Sequence, residues 1–297
     1  MRKELLTYLN PKSPISEIFR TLRTNLQFMN AKGNLKTVLV TSILPGEGKS
    51  WVSSNLAVTF AQAGKRVVIV DADMRKGRQY SIFGASPRPG LSNYLSGIDD
   101  NYKEDSSDDF TKYIQETEVE NLYLMSAGNV PPNPSELLIS ERMMNLLNGL
   151  KNIADIVIVD GPPCQLVTDS LIITRLVDTT VIVAASKQAK KDALKKLINN
   201  IRHVGGRVAG VVVNKVPMSI KKYEQSYYYG STTMAVSKKD NTRKNGSVNA
   251  NQYETSRNND NRENPKDMNL QDTQEMLRKI QEYVDSEKKN LNHDKRG

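Results

Sequence analysis

The sequence predicts an α/β domain built on a doubly wound, mostly parallel sheet with helices on both faces. Over the first 216 residues, short Val- and Ile-rich runs alternate with helix-length segments. The runs are apolar at successive positions, which indicates strands buried on both faces, and such strands form parallel sheets covered by helices. The predicted strands begin near residues 36, 66, 121, 155, 179 and 207, and the predicted helices span 50–64, 133–150 and 189–206.

Composition changes sharply near residue 216, and this change sets the predicted boundaries. Beyond it the apolar runs stop, and a long stretch is rich in Asn, charged and small polar residues. Such a stretch cannot bury enough apolar surface to offset the entropy of ordering, so we predict disorder there. The predicted segments are an N-terminal helical segment (1–35), the α/β domain (36–216), a tyrosine-rich segment (217–235), a disordered linker (236–270) and a candidate short helix (271–290).

Composition also limits the classes of function. The longest apolar runs are strand-sized, whereas a membrane span needs about 20 apolar residues. The N-terminus lacks the apolar core of a signal peptide, and a single cysteine agrees with a reducing compartment, so we expect a cytoplasmic protein. The net charge of +9 is not concentrated in the tail, and we interpret it as a solvated basic surface, with no nucleic-acid partner.

The first strand-to-helix turn carries a phosphate-binding pattern. It contains Gly46, Glu47, Gly48, Lys49 and Ser50, in the order strand, loop, Lys-Ser and helix. Small residues let backbone N–H groups surround a phosphate at the positive end of the helix. Lys49 would reach the β- and γ-phosphates, and the Ser50 hydroxyl would bind Mg²⁺. The full motif has Gly where this chain has Ile43. A glycine-rich turn that binds nothing is the alternative.

Three carboxylates follow apolar strands. Asp71 and Asp73 end the second predicted strand, and Asp160 ends the strand IVIVD. Because the carboxyl ends of parallel strands lie at one edge of the sheet, these side chains are expected beside the phosphate loop, where they could hold a metal ion. A single Asp at a strand end more often forms a turn or a helix cap.

Tyrosines cluster after the domain. Tyr223, Tyr227, Tyr228 and Tyr229 lie within seven positions, in a chain with twelve tyrosines. The flanking charged, Gly- and Ser-containing sequence favours accessible side chains over a core, although an aromatic patch that docks on a partner is the alternative. Tyr253 lies in the predicted disordered stretch.

The motifs PGEGKS, IVDADMR and IVDGPP, in that order, resemble the Walker A, A′ and B motifs of bacterial tyrosine kinases (BY-kinases), the P-loop autokinases of capsular and exopolysaccharide synthesis. The similarity runs over about residues 13–230. The resemblance implies a P-loop NTPase-like fold and an ATP- and Mg²⁺-dependent kinase that phosphorylates its own tyrosine cluster, with Tyr253 as a further acceptor. It also implies a soluble Gram-positive-type protein, recruited to the inner face of the membrane by the cytoplasmic tail of a membrane-embedded polysaccharide co-polymerase, and further protein substrates.

The resemblance also implies roles for individual residues. Lys49, Asp71 and Asp73 are expected to be catalytic, with Asp71 as the general base that accepts the tyrosine proton. Asp73, Asp160 and Ser50 are expected to hold the metal. Asn214 ends the last predicted strand, the position at which related P-loop ATPases carry an Asn that contacts the nucleotide base.

An upstream segment fits the same family. Glu17, Arg20 and Arg23 are spaced three apart, so on a helix they share a face about 120° wide. The pattern resembles the motif through which these kinases assemble into homo-oligomeric rings. A solvated helix face is the alternative.

Two other functions fit part of the pattern. The first is a partitioning or cell-division ATPase acting as a nucleotide-switched dimer; such proteins usually carry a second Lys where this chain has Leu44. The second is a non-catalytic adaptor that binds ATP and docks through its tail.

Overall fold

The computed structural model describes residues 3–29, 35–99, 103–104, 108–165 and 167–217. The chain divides into two units, Met1–Ala235 and Val236–Gly297, and every described residue belongs to the first. The predicted linker and short helix therefore lie outside the described residues.

A seven-stranded sheet forms the centre of the described unit. Its order is β3-β4-β2-β5-β1-β6-β7, and all neighbouring pairs are parallel except β3 with β4. The predicted doubly wound, mostly parallel sheet is thus confirmed. The strands are β1 (Thr37–Ser42), β2 (Val67–Asp71), β3 (Gln115–Glu116), β4 (Leu122–Met125), β5 (Ile156–Asp160), β6 (Thr179–Ala185) and β7 (Val208–Asn214).

Helices cover both faces of the sheet. The described residues form α1 (Leu6–Leu9), α2 (Pro14–Met29), α3 (Lys49–Ala61), α4 (Gln79–Phe83), α5 (Leu91–Ser96), α6 (Pro134–Ile139), α7 (Glu141–Ile153), α8 (Asp169–Thr174) and α9 (Lys191–His203), with a 3₁₀ turn at Phe110–Tyr113. None of the helices in these described ranges combines the length and hydropathy needed to cross a bilayer.

Two large cores explain this layering, because each strand presents alternate side chains to opposite faces. One core joins strand residues such as Val38 and Ile69 to α2 and α3, where the rings of Phe19 and Trp51 meet edge to face with centroids 5.2 Å apart. The other core joins residues such as Val70 to α5 and α7. The wholly buried pattern of β1, β2 and β5 follows from this two-sided cover.

The segment 133–150 differs from the sequence prediction of one helix. The chain breaks at Ser140, which has an extended backbone (φ −61°, ψ 154°) and ends α6. Its side chain accepts a hydrogen bond from the backbone N–H of Met143 and so caps α7. A serine supplies such a cap readily, and the apolar pattern runs through the break because both helices bury one face.

The strand order decides where the polar residues meet. β2, β5 and β1 are adjacent at the centre of the sheet, and Asp71 lies directly opposite Asp160 in the β2–β5 register. The carboxyl ends of these strands therefore open at one edge, beside the loop that joins β1 to α3.

Candidate functional site

The loop between β1 and α3 has the backbone conformation of a phosphate-binding loop. Gly46 and Gly48 have φ of 79° and 95°, values that L side chains rarely adopt. A Cβ at Gly48 would also lie 2.1 Å from Asn214 Nδ2. Gly48 immediately precedes α3, so the N–H groups at the helix start face the loop without intrahelical partners.

Glu47 is a structural member of this loop. Its side chain is buried, with one carboxylate oxygen accepting a hydrogen bond from Leu44 N at 2.7 Å and the other from Ala185 N at 3.1 Å. The carboxylate therefore fastens the loop to the end of β6. The predicted contact of Glu47 with the cofactor stays a prediction, and with the carboxylate occupied in this way the main-chain N–H would have to make it.

Lys49 lies among carboxylates. Its Nζ is 3.0 Å from Asp73 Oδ2, 3.7 Å from Asp160 Oδ1 and 3.2 Å from Ser50 Oγ. Burial by itself lowers the pKa of Lys49, but the charges of Asp160 and Asp73 outweigh that effect and raise the pKa above its usual value. The side chain therefore stays cationic at every physiological pH and supplies the positive charge of the site.

Asp71 is completely buried. Its Oδ2 accepts hydrogen bonds from the backbone N–H groups of Arg78 at 2.8 Å and Gln79 at 2.9 Å, and its Oδ1 accepts one from Asp73 N at 3.3 Å. Burial, followed by the charge of Asp160, raises the pKa of Asp71 to about 7, against the lowering effect of the Gln79 hydrogen bond. A carboxyl with this pKa can exchange a proton near neutral pH.

Asp160 presents two different oxygens. Oδ2 accepts a hydrogen bond from Gln79 Nε2 at 2.7 Å. Oδ1 is buried and accepts no hydrogen bond from any residue that the structure describes, although Lys49 Nζ lies 3.7 Å away. An oxygen left in this way can accept a further ligand without loss of an existing bond.

Asn214 contacts the loop. It ends β7, and its Nδ2 donates a hydrogen bond to Glu47 O at 2.8 Å. The predicted contact with a nucleotide base stays a prediction; the contact made in this structure ties the last strand to the phosphate-binding loop.

Arg75 completes the motif IVDADMR, but the sequence assigned no role to it and did not single out Asp169 or Gln79. Arg75 Nε donates to Asp169 Oδ2 at 3.2 Å, and Ser135 Oγ donates to Asp169 Oδ1 at 2.5 Å. Arg75 thus links the loop after β2 to the start of α8. Asp169 could have been found as a helix N-terminal acidic residue, whereas nothing in the sequence marked Gln79.

The three charged residues of α2 make contacts within the chain. Arg20 pairs with Glu17 and also donates to Pro11 O at 2.7 Å. Arg23 donates through one terminal nitrogen to Thr59 O at 2.7 Å, which joins α2 to α3. Glu17 and Arg20 stay about one third exposed, so both remain accessible to a neighbouring molecule. Their role in assembly stays a prediction.

The predicted acceptor tyrosines lie outside the described residues. They are Tyr223, Tyr227, Tyr228, Tyr229 and Tyr253. The described chain reaches residue 217, three positions beyond Asn214.

The sheet order and the phosphate-binding loop define a P-loop NTPase. A family model described as ParA, NUBPL iron-transfer P-loop NTPase, matches residues 34–285, so the chain belongs to this P-loop family. The chain is also 41% identical over 226 residues to CapB of Staphylococcus aureus, which covers 76% of this chain and 95% of CapB. It is 34% identical over 231 residues to tyrosine-protein kinase YwqD of Bacillus subtilis, covering 78% and 93%. Within the P-loop NTPases, the chain belongs to the bacterial tyrosine-protein kinases.

Solved structures agree with this assignment. The chimerical protein CapA2B2 matches with a TM-score of 0.67 and 38% identity, over 73% of this chain and 92% of the other. The cell-division ATPase MinD of Pyrococcus furiosus matches at 19% identity with a TM-score of 0.51, which reflects the shared fold alone. The kinase prediction is therefore confirmed at the level of family, and the partitioning ATPases are distant relatives. Membership of the P-loop NTPase family implies that the chain binds a nucleotide at the phosphate-binding loop.

Proposed function

We propose that this kinase transfers the γ-phosphoryl group of ATP, in the presence of Mg²⁺, to tyrosines of its own C-terminal cluster. The observation that carries the proposal is the convergence of one buried cation and three carboxylates on the phosphate-binding loop. Asp73 and Asp160 each have a carboxylate oxygen within 4 Å of Lys49 Nζ. Asp71 is the register partner of Asp160. Phosphoryl transfer depends mainly on positioning and charge, and this set supplies both.

The loop residues fit a magnesium nucleotide. The N–H groups after Gly46 and Lys49 Nζ would hold the phosphates, and Ser50 Oγ, Asp73 and Asp160 would hold the metal and its water. The fit rests on the buried Oδ1 of Asp160, which accepts no hydrogen bond among the described residues. Mg²⁺ in such sites takes one or two carboxylates and completes its shell with phosphate and water. When bound, the ion would neutralise charge that develops on the phosphate oxygens.

Asp71 is the candidate general base. A tyrosine hydroxyl has an unperturbed pKa near 10, so a carboxylate that accepts its proton assists attack. The pKa of Asp71, raised to about 7, is near the value at which a base is both deprotonated and proton-accepting at neutral pH. Because Asp71 is buried, the acceptor hydroxyl would have to enter the site or exchange its proton through one water.

The acceptors are proposed to be Tyr223, Tyr227, Tyr228 and Tyr229, with Tyr253 as a further one. Tyr223 follows Asn214 by nine positions, so an extended chain could place it at most about 30 Å from the loop that Asn214 contacts. That reach includes the phosphate-binding loop of the same chain, because Asn214 itself contacts this loop. The CapB and YwqD similarities support a tyrosine as the acceptor residue.

Assembly, partner and location are part of the same proposal. Copies of the chain would form a ring through Glu17, Arg20 and Arg23, in which each tail reaches a neighbour. The cytoplasmic tail of a membrane-embedded polysaccharide co-polymerase would bind and activate the kinase, and would hold a cytoplasmic protein at the inner face of the membrane. Phosphorylation would then regulate capsular or exopolysaccharide synthesis, and other proteins could serve as substrates.

The test is direct mapping of phosphate. Purified protein is incubated with Mg-ATP, with and without the cytoplasmic tail of a candidate activator, and phosphotyrosine is located by mass spectrometry. The expected result is phosphate on residues 223–253 that depends on Mg²⁺. ATP hydrolysis with no phosphotyrosine would favour the nucleotide-switched ATPase, and nucleotide binding with neither reaction would favour the adaptor.

A further inference from the structure

Gln79 is a buried amide at the centre of the site. Its side chain, at the start of α4, is completely buried. Its Nε2 lies 2.7 Å from Asp160 Oδ2, 3.0 Å from Ser53 Oγ and 3.2 Å from Ser50 O, and its Oε1 accepts a hydrogen bond from Ser54 Oγ at 2.8 Å. One side chain therefore touches the end of β5 and the first turns of α3.

The orientation of this amide is fixed by its neighbours. A carboxylate only accepts hydrogen bonds, so the NH₂ group must face Asp160 Oδ2. A rotated amide would place its oxygen against the carboxylate and against Ser50 O, and the buried Oδ2 of Asp160 would lose its donor. The contact with Asp160 is charge-assisted, which makes it the strongest of the set.

The same residue contacts a second carboxylate through its backbone. Gln79 N–H donates to Asp71 Oδ2 at 2.9 Å, beside the N–H of Arg78. Gln79 thus holds Oδ2 of both register partners, Asp71 and Asp160, while its side chain is anchored to α3. The start of α4 and the two strand ends consequently form one hydrogen-bonded unit.

The consequence for Asp160 is that its two oxygens differ. Oδ2 is occupied by Gln79, and Oδ1 is left without a hydrogen bond among the described residues, close to Lys49. Rotation of the carboxylate would break the bond to Gln79. Groups that hold a metal-binding carboxylate in this way set its direction and its basicity.

We propose that Gln79 is a positioning residue, which locks Asp160 through Oδ2 so that Oδ1 alone is presented to the metal–nucleotide. The inference rests on the proposed function, because that proposal makes Asp160 part of the metal site. Gln79 does not touch the reacting atoms and acts through Asp160. Its removal should therefore weaken binding that depends on the metal and leave metal-free nucleotide binding unchanged.

The test compares ADP affinity with Mg²⁺ and with EDTA, by isothermal titration calorimetry on the full chain. Gln79→Met removes the amide at nearly constant length, and we expect about a tenfold loss of Mg–ADP affinity with metal-free ADP affinity within about twofold of wild type. The matched control is Gln115→Met. Gln115 lies on edge strand β3, and its amide makes three hydrogen bonds, to Ser86 and Ser126, against four contacts of the Gln79 amide. Its loss should leave both affinities unchanged.

A double variant separates positioning from general loosening. In an Asp160→Asn background, Gln79→Met should have no further effect on Mg–ADP affinity, because the oxygen that it orients is already altered. An undiminished effect in that background, or equal losses with Mg²⁺ and EDTA, would overturn the inference. If Gln79→Met does not fold, Gln79→Asn fits the same space without reaching Asp160 and should show the same selective loss.

The proposed function and this inference fail differently. If Asp160→Asn leaves Mg–ADP affinity unchanged, Asp160 does not contribute to the metal site, and its proposed metal-holding role fails together with this inference. Phosphotyrosine mapping tests the proposed function separately. If Asp160→Asn weakens it and neither Gln79 variant does, the metal site stands and the positioning role is wrong.

Discussion

Lys49→Met should do more than remove phosphoryl transfer, because the structure makes Lys49 the cation of a buried carboxylate cluster. In the pair with Asp73, Nζ and Oδ2 are 3.0 Å apart, and the two side chains are 11% and 7% exposed. Asp160 is wholly buried at 3.7 Å. The substitution leaves these carboxylates without their cation, in addition to the loss of charge at the phosphates.

The size of the effect follows from the burial. Breaking a buried pair by removal of one partner costs about 3–5 kcal/mol. We expect the lower end, about 3 kcal/mol of unfolding free energy at pH 8, since the Lys49 and Asp73 side chains keep some contact with solvent. The charge of Lys49 lowers the pKa of Asp71, which burial and the charge of Asp160 raise to about 7, so part of the penalty requires ionised Asp71 and should be smaller at pH 5.5 than at pH 8.

The assay is urea unfolding of nucleotide-free protein in EDTA at pH 8 and pH 5.5, beside phosphotyrosine detection with Mg-ATP. The control is Lys151→Met, whose Nζ is 4.0 Å from Asp178 with side chains 28% and 31% exposed, and which should cost less than about 1 kcal/mol. The reasoning is refuted if Lys49→Met costs no more than this control, or if its cost does not depend on pH. Full autophosphorylation by folded Lys49→Met protein would reject the role of Lys49 at the phosphates.

Three further predictions concern the base, the assembly and the tail. Asp71→Asn should lower the rate of phosphoryl transfer far more than the affinity for ATP, and equal losses in the two would indicate a metal-binding role instead. The wild-type kcat/KM should rise with pH to a plateau above about pH 8, because a base whose pKa is raised to about 7 acts only when deprotonated. Replacing Arg20 and Arg23 together by Ala should shift the mass in light scattering towards monomer and slow autophosphorylation at fixed concentration, whereas an unchanged mass would make these residues a solvated face. Changing the clustered tyrosines to Phe should remove most phosphotyrosine and leave the remainder on Tyr253. The oligomer should stay intact in Mg-ATP, since about −1.5 to −2 charges per phosphate are no longer added beside the carboxylates. Dissociation of that variant on addition of ATP would contradict the charge argument. The variant carries Tyr223→Phe, Tyr227→Phe, Tyr228→Phe and Tyr229→Phe.

The sequence by itself determined the six parallel strands, the phosphate-binding loop and the carboxylates at the strand ends, but not the antiparallel edge strand β3. Strands buried on both faces are visible as unbroken apolar runs, and the loop requires particular residues at successive positions. These features are local, so the positions of Lys49, Asp71 and Asp160 could be predicted without the partners of any side chain.

Only the tertiary structure decided how these residues are held. Glu47 fits the sequence pattern of a cofactor-binding loop, yet its carboxylate bonds Ala185, and Asn214 bonds Glu47 across 167 positions of chain. Gln79 carries no motif, and its position between Asp71 and Asp160 depends on β2 and β5 being neighbours in register. Residue type limits which hydrogen bonds a side chain can make, but the packing of distant strands selects which ones it does make.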